Sequence, residues 1–441
     1  MIISPVKTSS ATGREKIRSL SGRFQGSDDS CREVVAAIIK DIISRGDEAV
    51  LEYTRKFDCQ DMTITGLKVS GEEIDQATGL IDSDLLDSIR VARDRIRTFH
   101  ERELEDSWLI TRDDGVITGR LVRPVASAGL YVPGGQGGST PLISSVLMNG
   151  IPAGIAGVEK RVMVTPPDRE GKVHPALLAA AREIGITEIY KLGSAWAIAA
   201  LAFGTETIPR AEVIVGPGNK FVAEAKQQVN GRVRIDMIAG PSEVLIVADH
   251  RAKPSFIAAD MLAQAEHDPQ ALSILVTTSP EVANQTVEEL EKQLQKLSRS
   301  EIAGTSLADR GAILIADSLE EAVGLANDLA PEHLELMIDD PWSYLPQVKN
   351  AGAIFMGDYC PEAFGDYVAG PNHVLPTMGT ARTSSALGVE TFLKKSSLIS
   401  CPRTALLKDA PHIKRLADQE GLTAHSRSAE IRRENTGKTG D

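Results

Sequence analysis

The stretch that decides the fold runs from Glu243 to Thr278 and reads EVLIVADHRAKPSFIAADMLAQAEHDPQALSILVTT. Two apolar runs in it, EVLIVAD and ALSILVTT, are typical of buried strands, and the residues Pro254–Glu266 between them predict a helix. A strand, a crossover helix and a second strand form the unit from which parallel sheets are built. The stretch therefore predicts an α/β protein.

The same alternation continues downstream. Three more apolar runs, GAILIAD, HLELMI and AIFM, predict strands, and helices are expected at Glu281–Leu297 and Leu319–Ala330. Ser318 and Glu321 have the spacing of a capping box ahead of the second of these helices.

An upstream region from about Ser127 has the same organisation. The predicted strands are Ala128–Val132, Arg161–Thr165, Ile189–Leu192 and Glu212–Val215, and the predicted helices are Pro175–Ile184 and Ala195–Phe203. Two similar parallel-sheet units are therefore expected, although no sequence repeat is visible. Open parallel sheets bind ligands at the carboxyl ends of their strands, so we expect the functional site there.

The flanking regions predict helices. Apolar residues recur at helical spacing in Ser30–Ser44 and in about Leu85–Glu103, and we expect both helices to serve packing alone. After Ala381 the chain becomes more polar and helical.

Composition excludes several classes of protein. The chain has 441 residues and a formal net charge of −13, with no cluster of Lys and Arg, which argues against a nucleic-acid binder. No apolar run approaches the length of a membrane span, and the first residues lack the apolar core of a secretory signal, so a cytoplasmic location is expected. Cys31, Cys59, Cys360 and Cys401 lack CxxC spacing, which argues against a disulfide framework.

Two glycine-rich turns are candidates for a phosphate or cofactor. YVPGGQGGS, Tyr131 to Ser139, and GPGNK, Gly216 to Lys220, each lie between a predicted strand and a predicted helix. Backbone N–H groups in such turns can approach a phosphate. A plain turn is the alternative, because glycine often only interrupts regular structure.

Titratable residues gather in a few segments. Gln264 and His267 are spaced i, i+3 at the end of a helix and can bind one ion, although Glu266 and Asp268 are alternatives. The adjacent Glu332 and His333 can orient each other or activate water. Two more candidates, Asp366 and His425, are informative only if they converge with this helix end.

Seven ordered motifs now carry a resemblance that spans nearly the whole chain. In order they are YVPGG, GPGN, GPSEV, AQAEHD, PEHLEL, GDYVAGPNHVLPT and EGLTAH. This series resembles the histidinol dehydrogenase family. The resemblance implies two incomplete Rossmann-like parallel-sheet domains of the aldehyde-dehydrogenase type, with helical N- and C-terminal extensions.

The resemblance also implies a division of the chain and a partner. Residues 1–25 would be an N-terminal extension, 26–126 with 240–380 the domain with the zinc and acid/base residues, 127–239 the NAD domain, and 381–441 a helical dimerisation tail. A homodimer is implied in which the tail crosses to the second subunit, so that Glu420 and His425 act in a shared site.

The site implied by the resemblance contains one Zn²⁺ per subunit. The expected metal ligands are Gln264, His267, Asp366 and His425. The same four residues are expected to line the substrate pocket together with Ser242, His333, His373 and Glu420.

The resemblance implies NAD contacts at Tyr131, Asn219 and Trp196. Trp196 stands where family members often carry glutamine, and the glycine loop QGGST is longer than usual. Trp196 is therefore expected either to stack on the cofactor or to pack against the lengthened loop.

The implied reaction is the oxidation of L-histidinol through L-histidinal to L-histidine with two NAD⁺. His333 would be the general base, Glu332 would activate water, and no covalent cysteine intermediate is needed. The alternatives are a related zinc- and NAD-dependent dehydrogenase of another small polar alcohol, and a catalytically silent metal- or nucleotide-binding protein. Intact Glu332, His333 and metal ligands argue against the silent protein.

Overall fold

Two parallel sheets and one antiparallel sheet form the framework of the fold. The computed structural model describes residues 2–23, 29–134 and 140–434. The strands are β1 Val6–Lys7, β2 Trp108–Thr111, β3 Ile117–Pro124, β4 Ser127–Tyr131, β5 Lys160–Thr165, β6 Glu188–Lys191, β7 Val213–Val215, β8 Arg234–Ile235, β9 Glu243–Ala248, β10 Leu272–Thr277, β11 Ala312–Ile315, β12 His333–Met337, β13 Ala353–Met356 and β14 Leu393–Ser400.

Seventeen α-helices occur in the described residues. They are α1 Ala11–Ser21, α2 Asp29–Arg45, α3 Asp47–Phe57, α4 Gly71–Ala77, α5 Ser83–His100, α6 Ile143–Ile155, α7 Pro175–Glu183, α8 Ser194–Phe203, α9 Lys220–Val229, α10 Pro254–Ala265, α11 Pro280–Leu294, α12 Ser300–Asp309, α13 Leu319–Leu329, α14 Pro341–Tyr344, α15 Glu362–Phe364, α16 Arg403–Gln419 and α17 Thr423–Glu434.

The chain forms two compact units. The first contains residues 1–104 and 125–392, with both parallel sheets, and the second contains residues 105–124 and 393–441. Among the described residues, no helix combines the length and the apolar composition that crossing a membrane would require.

The two parallel sheets share one strand order. The five-stranded sheet has the order β6-β5-β4-β7-β8, and the six-stranded sheet has the order β1-β11-β10-β9-β12-β13. Counted from β4 in the first and from β9 in the second, each contains the 3-2-1-4-5 order of a Rossmann half, and β1 extends the second sheet. The predicted α/β class with two Rossmann-like sheets is confirmed.

Each sheet buries its apolar side chains under helices. In the six-stranded sheet Leu245, Val247 and Leu334 pack in one core, while Val244 and Ile246 face the opposite core under α10 and α11. These side chains alternate between the two faces because strand residues point to opposite sides in turn. A strand covered on both faces is mostly apolar, which is why the run VLIVA after Glu243 could be recognised in the sequence.

Most predicted elements agree with the structure to within a few residues. The helix Ser30–Ser44 corresponds to α2, and the strand Ala128–Val132 corresponds to β4. The capping box is half formed: the Ser318 hydroxyl accepts the N–H of Glu321, but the Glu321 carboxylate accepts the N–H of Asp317.

The second unit contains strands that the sequence analysis did not identify. β14 pairs antiparallel with β3, and β3 pairs antiparallel with β2. The helices α16 and α17 follow β14 and agree with the predicted helical character of the C-terminal region.

Candidate functional site

Glu332 and His333 lie at the amino end of a central strand. α13 ends at Leu329, and Ala330 adopts a left-handed backbone conformation with φ of 46°. This turn leads through Pro331 into β12, whose first residue is His333. Both side chains of the pair are buried. The predicted location at the carboxyl ends of the strands is therefore wrong for this pair, since the site uses the opposite edge of the six-stranded sheet.

One peptide segment holds both members of the pair. The N–H of Glu243 donates to Glu332 Oε2 at 2.9 Å, and the carbonyl of Glu243 accepts from His333 Nδ1 at 2.9 Å. A carbonyl can only accept, so Nδ1 carries a proton and Nε2 is the basic nitrogen of the neutral ring. His333 Nε2 is buried and has no hydrogen-bond partner among the described residues.

Carboxylates surround the imidazole of His333. Its Nδ1 lies 3.7 Å from Glu332 Oε2 and 3.9 Å from Glu362 Oε1, and its Nε2 lies 3.7 Å from Asp366 Oδ1. Burial alone would lower the pKa of His333, but the negative charges of Glu362, Glu332 and Asp366 outweigh burial and hold that pKa well above its usual value. These carboxylates therefore stabilise the protonated form of the ring.

Burial has the opposite consequence for the carboxylic acids. It raises the pKa of Glu332 to about 7, against the attraction of His333, and raises the pKa of Glu362 to about 8. An acid whose pKa lies near neutrality can exchange protons in either direction at physiological pH. The arrangement therefore suits proton transfer.

A group of side chains that could hold a metal ion lies beside this pair. Gln264, in the last turn of α10, is fully buried, and both its side-chain oxygen and its nitrogen lack hydrogen-bond partners among the described residues. Ligand atoms of His267, Glu362 and Asp366 all lie within 4.8 Å of one another. An imidazole with two carboxylates fits a divalent metal such as Zn²⁺, and the unsatisfied amide of Gln264, three residues before His267, is a candidate for a further ligand.

Glu362 is a member of this arrangement that the sequence analysis missed. It lies on α15, and Asp366 lies four residues later on a π-helical turn, Gly365–Ala369. The i, i+4 spacing in PEAFGD was the signal that could have identified it. Glu335 Oε1 accepts the N–H of Glu362 at 3.0 Å and so ties this segment to β12.

Two predicted substrate contacts also lie in the first unit. Ser242 immediately precedes β9, and its carbonyl accepts the N–H of Leu272. His373 Nε2 is buried without a hydrogen-bond partner among the described residues, and burial lowers the pKa of His373 despite the opposing charge of Asp366. A neutral imidazole of this kind can hydrogen-bond a polar ligand.

The remaining two predicted contacts belong to the second unit. Glu420 follows the last residue of α16, and His425 lies in the first turn of α17; both side chains are exposed. Their predicted participation in the site stays a prediction.

The candidate cofactor residues meet at the carboxyl edge of the five-stranded sheet. Tyr131 ends β4, and its hydroxyl accepts the N–H of Ser194 at the start of α8 at 3.1 Å. Gly216, just after β7, has a φ of 115°, and a Cβ there would lie 2.0 Å from the Tyr131 carbonyl oxygen. Only glycine fits this close approach. Of the other turn, residues 135–139 lie outside the described residues.

Asn219 and a buried ion pair fix the GPGN turn. The Asn219 side chain caps α9 by accepting the N–H groups of Phe221 and Val222. Lys226 Nζ donates to the Gly216 carbonyl at 2.9 Å, while Asp236 Oδ2 accepts the Gly216 N–H at 2.8 Å. The Lys226 ammonium and the Asp236 carboxylate also pair with each other.

Trp196 lies in the apolar core of the same unit. Its ring stacks on Phe57 with a centroid separation of 5.5 Å and on Tyr53 with 5.9 Å. Its indole N–H is buried and has no partner among the described residues. These contacts are with α3.

Comparisons with known proteins agree with this geometry. The family model described as histidinol dehydrogenase matches residues 22–433. A histidinol dehydrogenase from Desulfotalea psychrophila is 64% identical over 98% of this chain and 100% of that protein. One from Nitratidesulfovibrio vulgaris is 54% identical over 94% of each chain.

A solved structure shows the same fold. The crystal structure of histidinol dehydrogenase from Elizabethkingia anophelis superposes with a TM-score of 0.91, at 38% identity and with 98% of each chain covered. Matches of this extent concern the whole chain and not one motif. The chain therefore belongs to the histidinol dehydrogenase family of enzymes.

Proposed function

We propose that this enzyme oxidises L-histidinol through L-histidinal to L-histidine, the last steps of histidine biosynthesis, with two NAD⁺ consumed in sequence. The observation that carries the proposal is the buried Glu332–His333 pair, held by one peptide segment next to a group of side chains that could hold a metal ion. Family membership supports the substrate, and the geometry supports the assignment of the base.

In the first oxidation, His333 Nε2 removes the hydroxyl proton of the alcohol as hydride leaves the carbinol carbon for NAD⁺. Its Nδ1–H bond to the Glu243 carbonyl keeps Nε2 available as the acceptor of this proton. The neighbouring carboxylates raise the pKa of His333 and so favour the imidazolium that forms.

In the second oxidation, Glu332 removes a proton from the water that attacks the aldehyde, and the His333 imidazolium formed in the first step donates its proton to the carbonyl oxygen. The neutral His333 then removes a hydroxyl proton from the resulting hydrate as the second hydride leaves for the second NAD⁺. Burial excludes bulk water from Glu332 and places its pKa at about 7, where it can accept a proton near neutral pH. The two residues thus divide the chemistry between them.

We propose Gln264, His267, Asp366 and His425 as ligands of one Zn²⁺ per subunit. The unsatisfied Gln264 amide and the proximity of His267 to Asp366 support this ligand set. When bound, the ion would orient the amino and imidazole nitrogens of the substrate. Further substrate contacts are proposed at Ser242, His333, His373 and Glu420.

NAD is proposed to bind at the carboxyl edge of the five-stranded sheet. Tyr131 and Asn219 flank the turn that begins at Gly216, which is the location expected for a dinucleotide in a Rossmann-like sheet. Trp196, packed against Phe57, is the least suited of the proposed contacts to touch the cofactor directly.

A cytoplasmic homodimer with shared sites is proposed as the assembly. The second unit exposes large apolar side chains, which in a monomer would remain in contact with water. They are Trp108, Leu109, Ile110, Ile399, Ile413, Leu416, Leu422 and Ile431. A second copy of this chain that covers them would be placed to share Glu420 and His425.

The test is NADH formation from L-histidinol compared with other amino alcohols and with diols, at equal concentrations. A clear preference for L-histidinol, with two NADH formed per substrate, is expected. Equal rates with the other alcohols would instead support a related dehydrogenase of a different small polar alcohol.

A further inference from the structure

A buried arginine from the N-terminal region, Arg23, contacts Glu243, the residue whose backbone holds Glu332 and His333. Arg23 Nε donates to Glu243 Oε1 at 2.6 Å, and Nη2 donates to Glu243 Oε2 at 3.0 Å. Only 4% of the Arg23 side chain and 3% of the Glu243 side chain are exposed. Two parallel hydrogen bonds of this kind fix both the distance and the plane of the carboxylate.

The same guanidinium also contacts the segment that enters β12. Arg23 Nη2 donates to the carbonyl of Leu329, the last residue of α13, at 2.6 Å. Glu332 and His333 follow only a few residues later, after the left-handed Ala330. Arg23 therefore bonds to both segments whose relative position sets the geometry of the catalytic pair.

Glu243 is where these contacts converge. Its side chain is held by Arg23, and its backbone N–H and carbonyl hold Glu332 and His333. A shift of Glu243 would displace the water-activating acid and the base together. A peripheral ion pair would not have this effect, because it would not share a residue with the catalytic hydrogen bonds.

We propose that Arg23 and Glu243 are positioning residues for both oxidation steps. This proposal rests on the roles proposed above for Glu332 and His333. A buried ion pair is a poor source of net stability, since desolvation cancels most of the attraction. The two parallel hydrogen bonds instead fix the orientation of Glu243, the first residue of β9.

The test uses the double variant Arg23→Met/Glu243→Gln, which removes both charges and leaves neither buried alone. Rates of histidinol oxidation and of supplied histidinal oxidation are measured in single turnovers, together with the KM values for both substrates and for NAD⁺. Arg23→Lys, which keeps the positive charge but cannot form the two parallel hydrogen bonds to Glu243, is measured in parallel. Arg93→Met, which breaks an Arg–Glu pair between α5 and α7, is the matched control.

The double variant is expected to slow both oxidations together, by about 10- to 100-fold, the scale that a small misplacement of catalytic groups produces. The KM values should stay within about twofold of wild type, since a lost orientation lowers kcat more than binding. Arg23→Lys should lie between the double variant and wild type, and Arg93→Met should retain wild-type rates.

Wild-type rates in a folded double variant would overturn the proposal. A decrease in the rate of only one oxidation, or a change in only one KM value, would also overturn it. If the double variant does not fold, Arg23→Lys decides by the same measurements, and unchanged rates in it would refute the positioning role. A wild-type enzyme that forms no NADH from histidinol would instead contradict the proposed function, so the two failures are distinguishable.

Discussion

In the proposed mechanism, replacing Glu332 by glutamine should separate the two oxidations. The amide has the size of the carboxylate, and its oxygen can still accept the N–H of Glu243, the hydrogen bond that Glu332 Oε2 makes at 2.9 Å. What is lost is the ability to remove a proton from water. Only the second oxidation needs that water, so the step from alcohol to aldehyde should continue.

The size of the effect follows from the environment of the carboxyl group. Loss of a general base usually slows its step by about 10²- to 10⁴-fold. Burial raises the pKa of Glu332 from 4.5 to about 7, which corresponds to about 3 kcal/mol against the ionised form in the folded protein. That cost is absent below pH 4.5, grows as the pH rises, and is complete above pH 7. The glutamine variant escapes it and should unfold at a higher temperature at pH 8.

The assay counts NADH per active site in a single turnover with excess NAD⁺. Wild type should form two NADH from histidinol, whereas Glu332→Gln should form one rapidly and the second slowly. With supplied histidinal, the wild-type rate should rise as the pH increases through about 7, as Glu332 loses its proton, and the variant should lack this rise.

Two results would refute this reasoning. If the variant oxidises histidinal at the wild-type rate, another residue activates the water. If both steps slow equally, Glu332 acts by orienting His333, the base in both steps, and not as a separate base.

Further variants test the other assignments. His333→Asn should slow both steps, because Nε2 is the proposed base in each. Single turnovers with histidinol and with histidinal measure the two steps separately, and a rate loss in only one of them would contradict this role. His267→Asn should lose bound zinc in a metal analysis, and a chelator should abolish wild-type activity; full activity without metal would contradict the site. Asn219→Ala should raise the KM for NAD⁺ with little change for histidinol, whereas an equal rise for both would indicate a disturbed fold. Trp196→Gln should lower the free energy of unfolding by about 3 kcal/mol, because its ring stacks on Phe57 and Tyr53, and an unchanged denaturation midpoint would argue against that packing role.

The fold could be predicted because both parallel sheets are buried on their two faces. A strand such as β9 is apolar at every position after Glu243, and the prolines at the start of α7 and α10 mark helix beginnings. The strands of the second unit lack such a signal. β2 is exposed at all its positions, and β14, LKKSSLIS, is mostly polar and pairs with a strand far away in the sequence.

The candidate site was predictable only in part. Glu332 and His333 were identified from their own chemistry. The residues proposed to orient them carry no such signal. Glu243 contributes its backbone, which no side-chain motif reveals. Arg23 contacts a residue that lies 220 positions away in the sequence. Glu362 was not predicted, although its i, i+4 spacing to Asp366 was a signal in the sequence.

The carboxyl-edge rule fits the proposed cofactor site on one sheet but not the Glu332–His333 pair on the other. Tyr131 ends β4 and the turn at Gly216 follows β7, as the rule predicts for a phosphate-bearing ligand near helix beginnings. At β12, Glu332 immediately precedes the strand and His333 is its first residue. The rule rests on helix beginnings, where the helix dipole favours a phosphate, whereas the proton transfer proposed for Glu332 and His333 relies on carboxylates and a backbone carbonyl.

The edge strand β1 has a consequence for the order of events during synthesis. Val6 pairs with Leu314, and within the six-stranded sheet β1 pairs with β11 alone. At ribosomal rates of roughly 5–20 residues per second, the partner strand would emerge roughly 15–60 seconds after β1. β1 therefore has no partner in this sheet during that interval, although β9 and β10 can already pair with each other. Because β11 precedes β12 in the chain, β1 can dock before the strand that begins at His333 has been synthesised.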